Sequence, residues 1–222
     1  MMIKPSKIYL TFVVFSLVTV MAACQSTVRK GVYSAYETVG IQKRDLLKRR
    51  VDDTREEQKE AGETFKDALT ELQALYGFEG GELEKKYRSM KSAYEKAEDD
   101  AKDVRESIKQ VETVAGDLFA EWEKEAAGIQ TASLRSKSRE QLATTQRRYN
   151  EMHASLKKSE SRMEPVLAKF NDQVTYLKHN LNAQAIASLK GESANIQGEI
   201  ERLIADMNKS IAEADQFIAA MK

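Results

Sequence analysis

The chain has 222 residues, of which 41% are hydrophobic, 32% charged and 7% aromatic. This apolar fraction supports a packed core and excludes a disordered polymer, while the many charges, few aromatics and two prolines are typical of long helices rather than sheets. The 35 basic residues balance the 35 acidic ones, so the excess positive charge that binds nucleic-acid phosphates is not expected. The composition predicts an all-α protein that does not bind nucleic acid.

The N-terminus has the layout of an export signal. Lys4 and Lys7 supply positive charge, and the apolar stretch behind them is too short to span a bilayer comfortably. Met21-Ala22-Ala23-Cys24 follows, and small residues before a cysteine are typical of a bacterial lipobox, whose thiol receives diacylglycerol before cleavage. The sequence therefore predicts a signal peptide over residues 1–23, lipidation of Cys24, and one helical domain over residues 24–222.

Cys24 is the only cysteine of the chain and stands where lipidation needs it, although an ordinary signal peptide containing a cysteine is the alternative. A lipidated Cys24 leaves no thiol for a disulfide, and its acyl chains, at about 0.8 kcal/mol per buried methylene, hold a protein on a membrane. The residue after Cys24 is Gln25 and not the Asp that signals retention of lipoproteins at the inner membrane. We expect a protein of the cell envelope that faces the periplasm from the inner leaflet of the outer membrane.

Apolar residues of the mature chain recur at alternating steps of three and four, the period of helices packed along a continuous seam. We predict four long helices. The first seam comprises Val32, Tyr36, Val39, Leu47, Val51, Thr54, Gln58, Ala61, Phe65, Ala68, Leu72 and Leu75. The second comprises Leu83, Tyr87, Met90, Tyr94, Ala97, Ala101, Val104, Ile108, Val111, Ala115, Leu118 and Trp122. The third comprises Leu142, Thr145, Tyr149, Met152, Leu156, Ser159, Met163, Val166, Phe170, Val174, Leu177 and Leu181. The fourth comprises Ile186, Leu189, Ser193, Ile196, Ile200, Leu203, Met207, Ala214, Ile218 and Met221.

Three breaks separate the predicted helices. Residues 77–81 contain three glycines, Gly128 stops the second helix, and Asn180 and Asn182 favour a cap or turn after the third. Pro165 falls inside the third helix, where the seam keeps its phase and a kink rather than a loop is expected. Short connections make consecutive helices antiparallel.

This order of helices predicts an elongated antiparallel bundle or coiled coil. Its N-terminus and the Gly128 turn would lie near the membrane, with the Gly80 and Asn182 turns at the far end. Both a closed four-helix bundle and two extended helical hairpins satisfy the same periodicity.

Residues for catalysis are not found. Gly77, Gly80 and Gly81 lack the following Lys-Ser/Thr pair of a nucleotide-phosphate loop. The only histidines, His153 and His179, lie far apart and lack the spacing of zinc ligands. Runs of carboxylates on such charged helices are typical of solvated faces. We predict a protein without catalytic residues, cofactor, metal or nucleotide.

Trp122 and Phe119 allow two interpretations of their role. They could form an exposed patch for a partner, but the position of Trp122 on the seam favours the core.

The chain also resembles a known family, through residues 36–40, 43–45, 80–87, 118–123 and 163–187. These segments are similar to an uncharacterised bacterial lipoprotein family, domain of unknown function 2959, and the likeness covers essentially the whole mature chain. It implies a lipid-anchored helical protein and supplies no activity, because the family has none assigned.

The sequence thus favours a non-enzymatic, lipid-anchored helical envelope protein with a structural or protein-interaction role. Its expected partners are the membrane, through the N-terminal anchor, and another envelope protein or a second copy of itself. The alternative is a module that binds a small apolar ligand or lipid between helices, beside the small seam residues Ala97, Ala101 and Ala115.

Overall fold

A computed structural model describes residues 42–77, 82–191 and 193–221. These residues form five α-helices and, within those ranges, no strand. The helices are α1 (Lys43–Tyr76), α2 (Leu83–Gly128), α3 (Ala132–His179), α4 (Ala183–Lys190) and α5 (Ser193–Ala220). The predicted all-α class is confirmed. The predicted signal peptide, Cys24 and the first three residues of the first seam lie outside the described residues.

The chain divides into two compact units, residues 1–46 and residues 47–222. In the first unit, the described residues are Gln42 and the first turn of α1. The second unit holds the rest of α1 and all of α2 to α5. Among the described residues, no helix combines the length and the hydropathy of a membrane span.

The core of the second unit follows the predicted seams. Every predicted seam residue of α1 from Leu47 to Leu75 is fully buried, and those of α2 are buried from Met90 to Leu118. In α3 the seam is buried from Tyr149 to Leu177. Each large apolar side chain removed from water contributes about 1.5–3 kcal/mol. The three-four periodicity therefore identified the main stabilising surface of these helices.

Side-chain contacts between α1 and α2 show that the two helices run in opposite directions. The Thr54 and Ser107 hydroxyl oxygens lie 2.6 Å apart. Further along α1, the Lys96 Nζ donates to Thr64 Oγ1 at 3.2 Å. Because the contacts move forward along α1 and backward along α2, this pair is an antiparallel hairpin, as predicted from the short glycine-containing connection.

Contacts between α1 and α5 close the bundle. Arg55 Nη1 donates to Asp215 Oδ1 at 2.8 Å, and Gln73 Nε2 donates to Gln197 Oε1 at 3.1 Å. In addition, α3 packs against both α2 and α5. The first helix therefore contacts both the second and the last, and α1, α2, α3 and α5 form a closed up-down-up-down bundle rather than two extended hairpins.

The helix boundaries coincide with the predicted breaks. The helix α1 ends directly before Gly77, and α2 ends at Gly128. After α3, the Asn182 side chain accepts a hydrogen bond of 2.9 Å from the Ala185 backbone N–H and so caps α4. An oxygen at this position satisfies one of the backbone donors left free in a first helical turn.

The fourth predicted helix is not continuous. It divides at Gly191 into the short helix α4 and the long helix α5. Near the C-terminus Phe217 is 2% exposed, whereas the predicted Ile218 is half-buried. The choice of Ile218 was wrong, since Phe217 continues the three-four alternation from Ala214.

The third predicted helix remains continuous through its proline. Helix α3 contains Pro165 and runs from Ala132 to His179. The neighbouring seam residues Met163 and Val166 are both buried. Proline removes one backbone hydrogen bond and costs about 3 kcal/mol inside a helix, so we infer that packing on both sides of it maintains the helical path.

Replacement of a core aromatic residue tests this packing. Phe170 is 1% exposed, whereas Tyr176 on the same helix is 41% exposed. We expect Phe170→Ala to lower the free energy of unfolding by about 3–5 kcal/mol, because it leaves a cavity in a packed core. The matched control, Tyr176→Ala, should change it by less than about 1 kcal/mol. Urea denaturation followed by circular dichroism measures both; equal losses would contradict the core assignment.

Candidate functional site

The second unit contains a buried polar layer that joins three helices. Gln58 of α1, Ser159 of α3 and Ser210 of α5 are all fully buried. Gln58 Nε2 donates to Ser159 Oγ at 2.7 Å, and the Ser210 hydroxyl donates to Gln58 Oε1. The Ser159 hydroxyl donates in turn to the Leu156 carbonyl oxygen of its own helix at 2.8 Å.

A second polar contact lies about one turn away. The Thr54 hydroxyl donates to the Arg50 carbonyl oxygen at 2.8 Å, so Ser107 is the donor in the contact between the Thr54 and Ser107 hydroxyls. All four long helices are therefore linked at neighbouring levels. A buried polar group without a partner costs about 1–3 kcal/mol, which penalises any sliding of one helix against another.

The polar layer suits alignment rather than catalysis. Amide and hydroxyl groups do not titrate near neutral pH, and each of these groups is occupied by a neighbouring helix or by its own backbone. The sequence did place Thr54, Gln58 and Ser159 on the seams. It missed Ser210, which lies three residues after Met207 and four before Ala214 and so continues the same spacing.

An aromatic cluster lies between α2, α3 and α5. The Tyr149 ring stacks on His153 with centroids 5.5 Å apart and meets Phe119 and Phe217 edge-on at 5.4 and 6.1 Å. His153 Nε2 lies 2.7 Å from Glu112 Oε1. Burial, and then the negative charge of Glu112, raises the pKa of Tyr149 to about 12. The phenol therefore stays protonated at neutral pH, and the cluster supplies packing rather than a nucleophile.

The two histidines are not brought together. His153 faces Glu112 across the α2–α3 interface, and His179 lies in the last turn of α3. Within residues 42–77, 82–191 and 193–221, no group of three or more His, Cys, Asp or Glu side chains is arranged to hold a metal ion.

Trp122 takes an intermediate position. Its ring is half-buried, and Nε1 donates to Ser138 Oγ of α3 at 3.0 Å. Phe119 is also half-buried. Trp122 thus joins α2 to α3 near their connecting turn, and it is neither an isolated surface patch nor a fully buried core residue.

An ion-pair cluster ties α3 to α5. Asp206 of α5 is 13% exposed; Lys158 Nζ lies 2.8 Å from its Oδ1, and Arg162 Nε donates to its Oδ2. Burial alone raises the pKa of Asp206, but the hydrogen bonds from Lys158 and Arg162 outweigh burial and lower the pKa below its ordinary value of 3.8. The ionised carboxylate therefore stabilises the folded bundle.

Two grooves lie along α1 and α2, and a third lies between α3 and α5. The first encloses about 410 Å³ and is lined by Thr64, Asp67, Thr70, Glu71, Ser89, Ser92, Ala93 and Lys96. The second and third enclose about 310 and 290 Å³. The three seam alanines named for apolar ligand binding, each 1% exposed, do not line these three grooves, so that alternative stays a prediction.

Comparison with the profiles of known protein families identifies the family of this chain. The profile of the family described as "Protein of unknown function (DUF2959)" matches residues 32–221. The chain belongs to this family. The predicted resemblance to the domain of unknown function 2959 is thereby confirmed, and the match spans every described helix. Neither a curated protein nor a solved structure matches the chain.

A charge placed in the polar layer tests its burial. We expect Gln58→Glu to lower the free energy of unfolding by about 3 kcal/mol at pH 8, because an ionised carboxylate would replace a neutral amide in the core. The loss should shrink toward pH 4, where a buried carboxyl is already protonated. Chemical denaturation at both pH values measures the free energy of unfolding. Gln216→Glu, at an exposed position of α5, is the control. An equal loss of stability in the control would contradict the burial of Gln58.

The ion pairs of Asp206 predict that the stability of the folded protein depends on pH. We expect Asp206→Asn to lower the free energy of unfolding by about 1 kcal/mol at pH 7, because two charged hydrogen bonds are weakened. Because the pKa of Asp206 is lower in the folded protein than its ordinary value of 3.8, the ionised carboxylate stabilises the fold fully above that value. This stabilisation is lost as the pH falls through the pKa of the folded protein. The difference from the parent protein should therefore vanish at low pH.

A within-helix pair provides the control for Asp206. Asp99 bonds Lys102 of the same helix and is 71% exposed, so Asp99→Asn should cost less than about 0.5 kcal/mol. Denaturation curves across the pH range compare the two variants. A difference for Asp206→Asn that is constant with pH would contradict the assigned ion pair.

Proposed function

We propose that this protein is a lipid-anchored, non-enzymatic helical component of the bacterial cell envelope, with a structural or protein-interaction role. The observation that carries the proposal is the position of its only cysteine. Cys24 follows Met21-Ala22-Ala23 directly behind an apolar stretch with Lys4 and Lys7 at its start, which is the arrangement of a lipoprotein signal peptide.

The proposed setting follows from the anchor and the residue after it. Because Gln25 stands where Asp would signal retention, the proposal assigns the lipid to the inner leaflet of the outer membrane. The helical domain then faces the periplasm. The membrane, through the lipid, and another envelope protein or a second copy are the proposed partners.

The chemistry of the bundle supports a role in assembly. Its buried polar side chains, such as Gln58 and Ser159, are engaged in contacts between helices. The buried phenol of Tyr149 is protonated at neutral pH. The outer faces carry charged side chains in pairs between helices, such as Lys158 with Asp206. These features support a protein whose helices serve to hold position and to contact partners, without catalytic residue, cofactor, metal or nucleotide.

Mass spectrometry of the membrane fraction tests the anchor. In cells that make the full chain, we expect loss of residues 1–23 and a lipid mass on Cys24. The Cys24→Ala variant removes the acceptor thiol and should carry no lipid. Several acyl chains anchor a protein far more firmly than one, so the lipidated parent protein should resist extraction from the membrane with salt.

A nearby substitution is the control for this experiment. Ser26→Ala leaves the thiol in place and should be lipidated like the parent protein. An unmodified or uncleaved parent chain would contradict the proposed anchor, and with it the proposed location in the envelope.

A further inference from the structure

We draw no further inference here: the strongest candidate, the groove between α1 and α2 that is lined by the carboxylates of Asp67 and Glu71, is an acidic cluster for which nothing in the described part of the chain shows what binds there.

Discussion

The hydrogen bonds of Gln58 are the constraint on which the arrangement of the bundle depends. A seam made only of apolar side chains tolerates sliding of one helix along another, because burial does not depend on direction. Gln58 contacts Ser159 and Ser210 on two other helices. Each serine hydroxyl also bonds a carbonyl oxygen of its own helix, but sliding by one turn would leave the buried Gln58 amide unsatisfied. The layer therefore specifies one alignment, the role that single buried polar residues also have in coiled coils.

Around this layer, the apolar seams supply stability and the ion pairs supply orientation. The core uses its polar groups between helices, and burial keeps the Tyr149 phenol protonated. Consequently, the groups available to other molecules are the charged side chains on the outer faces and at the ends of the helices. The proposed function follows from this division: an anchor that precedes the bundle in the sequence, and a bundle that holds its shape and offers charged outer faces to partners.

Periodicity predicted most of the fold because a helix buries one continuous stripe, and that stripe is visible in the order of residues. Glycine and asparagine marked the breaks because their preference for helix ends and turns is also a local property of the sequence. Sequence could not choose between a closed bundle and separate hairpins, since both bury the same seams; the contacts of Arg55 and Gln73 with α5 decide this. It also missed Asp206, because an exposed-looking carboxylate becomes significant only when Lys158 and Arg162 approach from another helix.

The central claim, a closed bundle with a single alignment, is tested most directly by a distance between α1 and α5. Nitroxide labels on Gln73→Cys and Gln197→Cys report it through dipolar broadening of the continuous-wave electron paramagnetic resonance spectrum, with the two singly substituted chains as background. Adjacent helices with axes about 8–10 Å apart predict strong broadening in the doubly labelled chain. A spectrum of the doubly labelled chain that equals the sum of the two single-label spectra, as two separate hairpins would give, would contradict the claim.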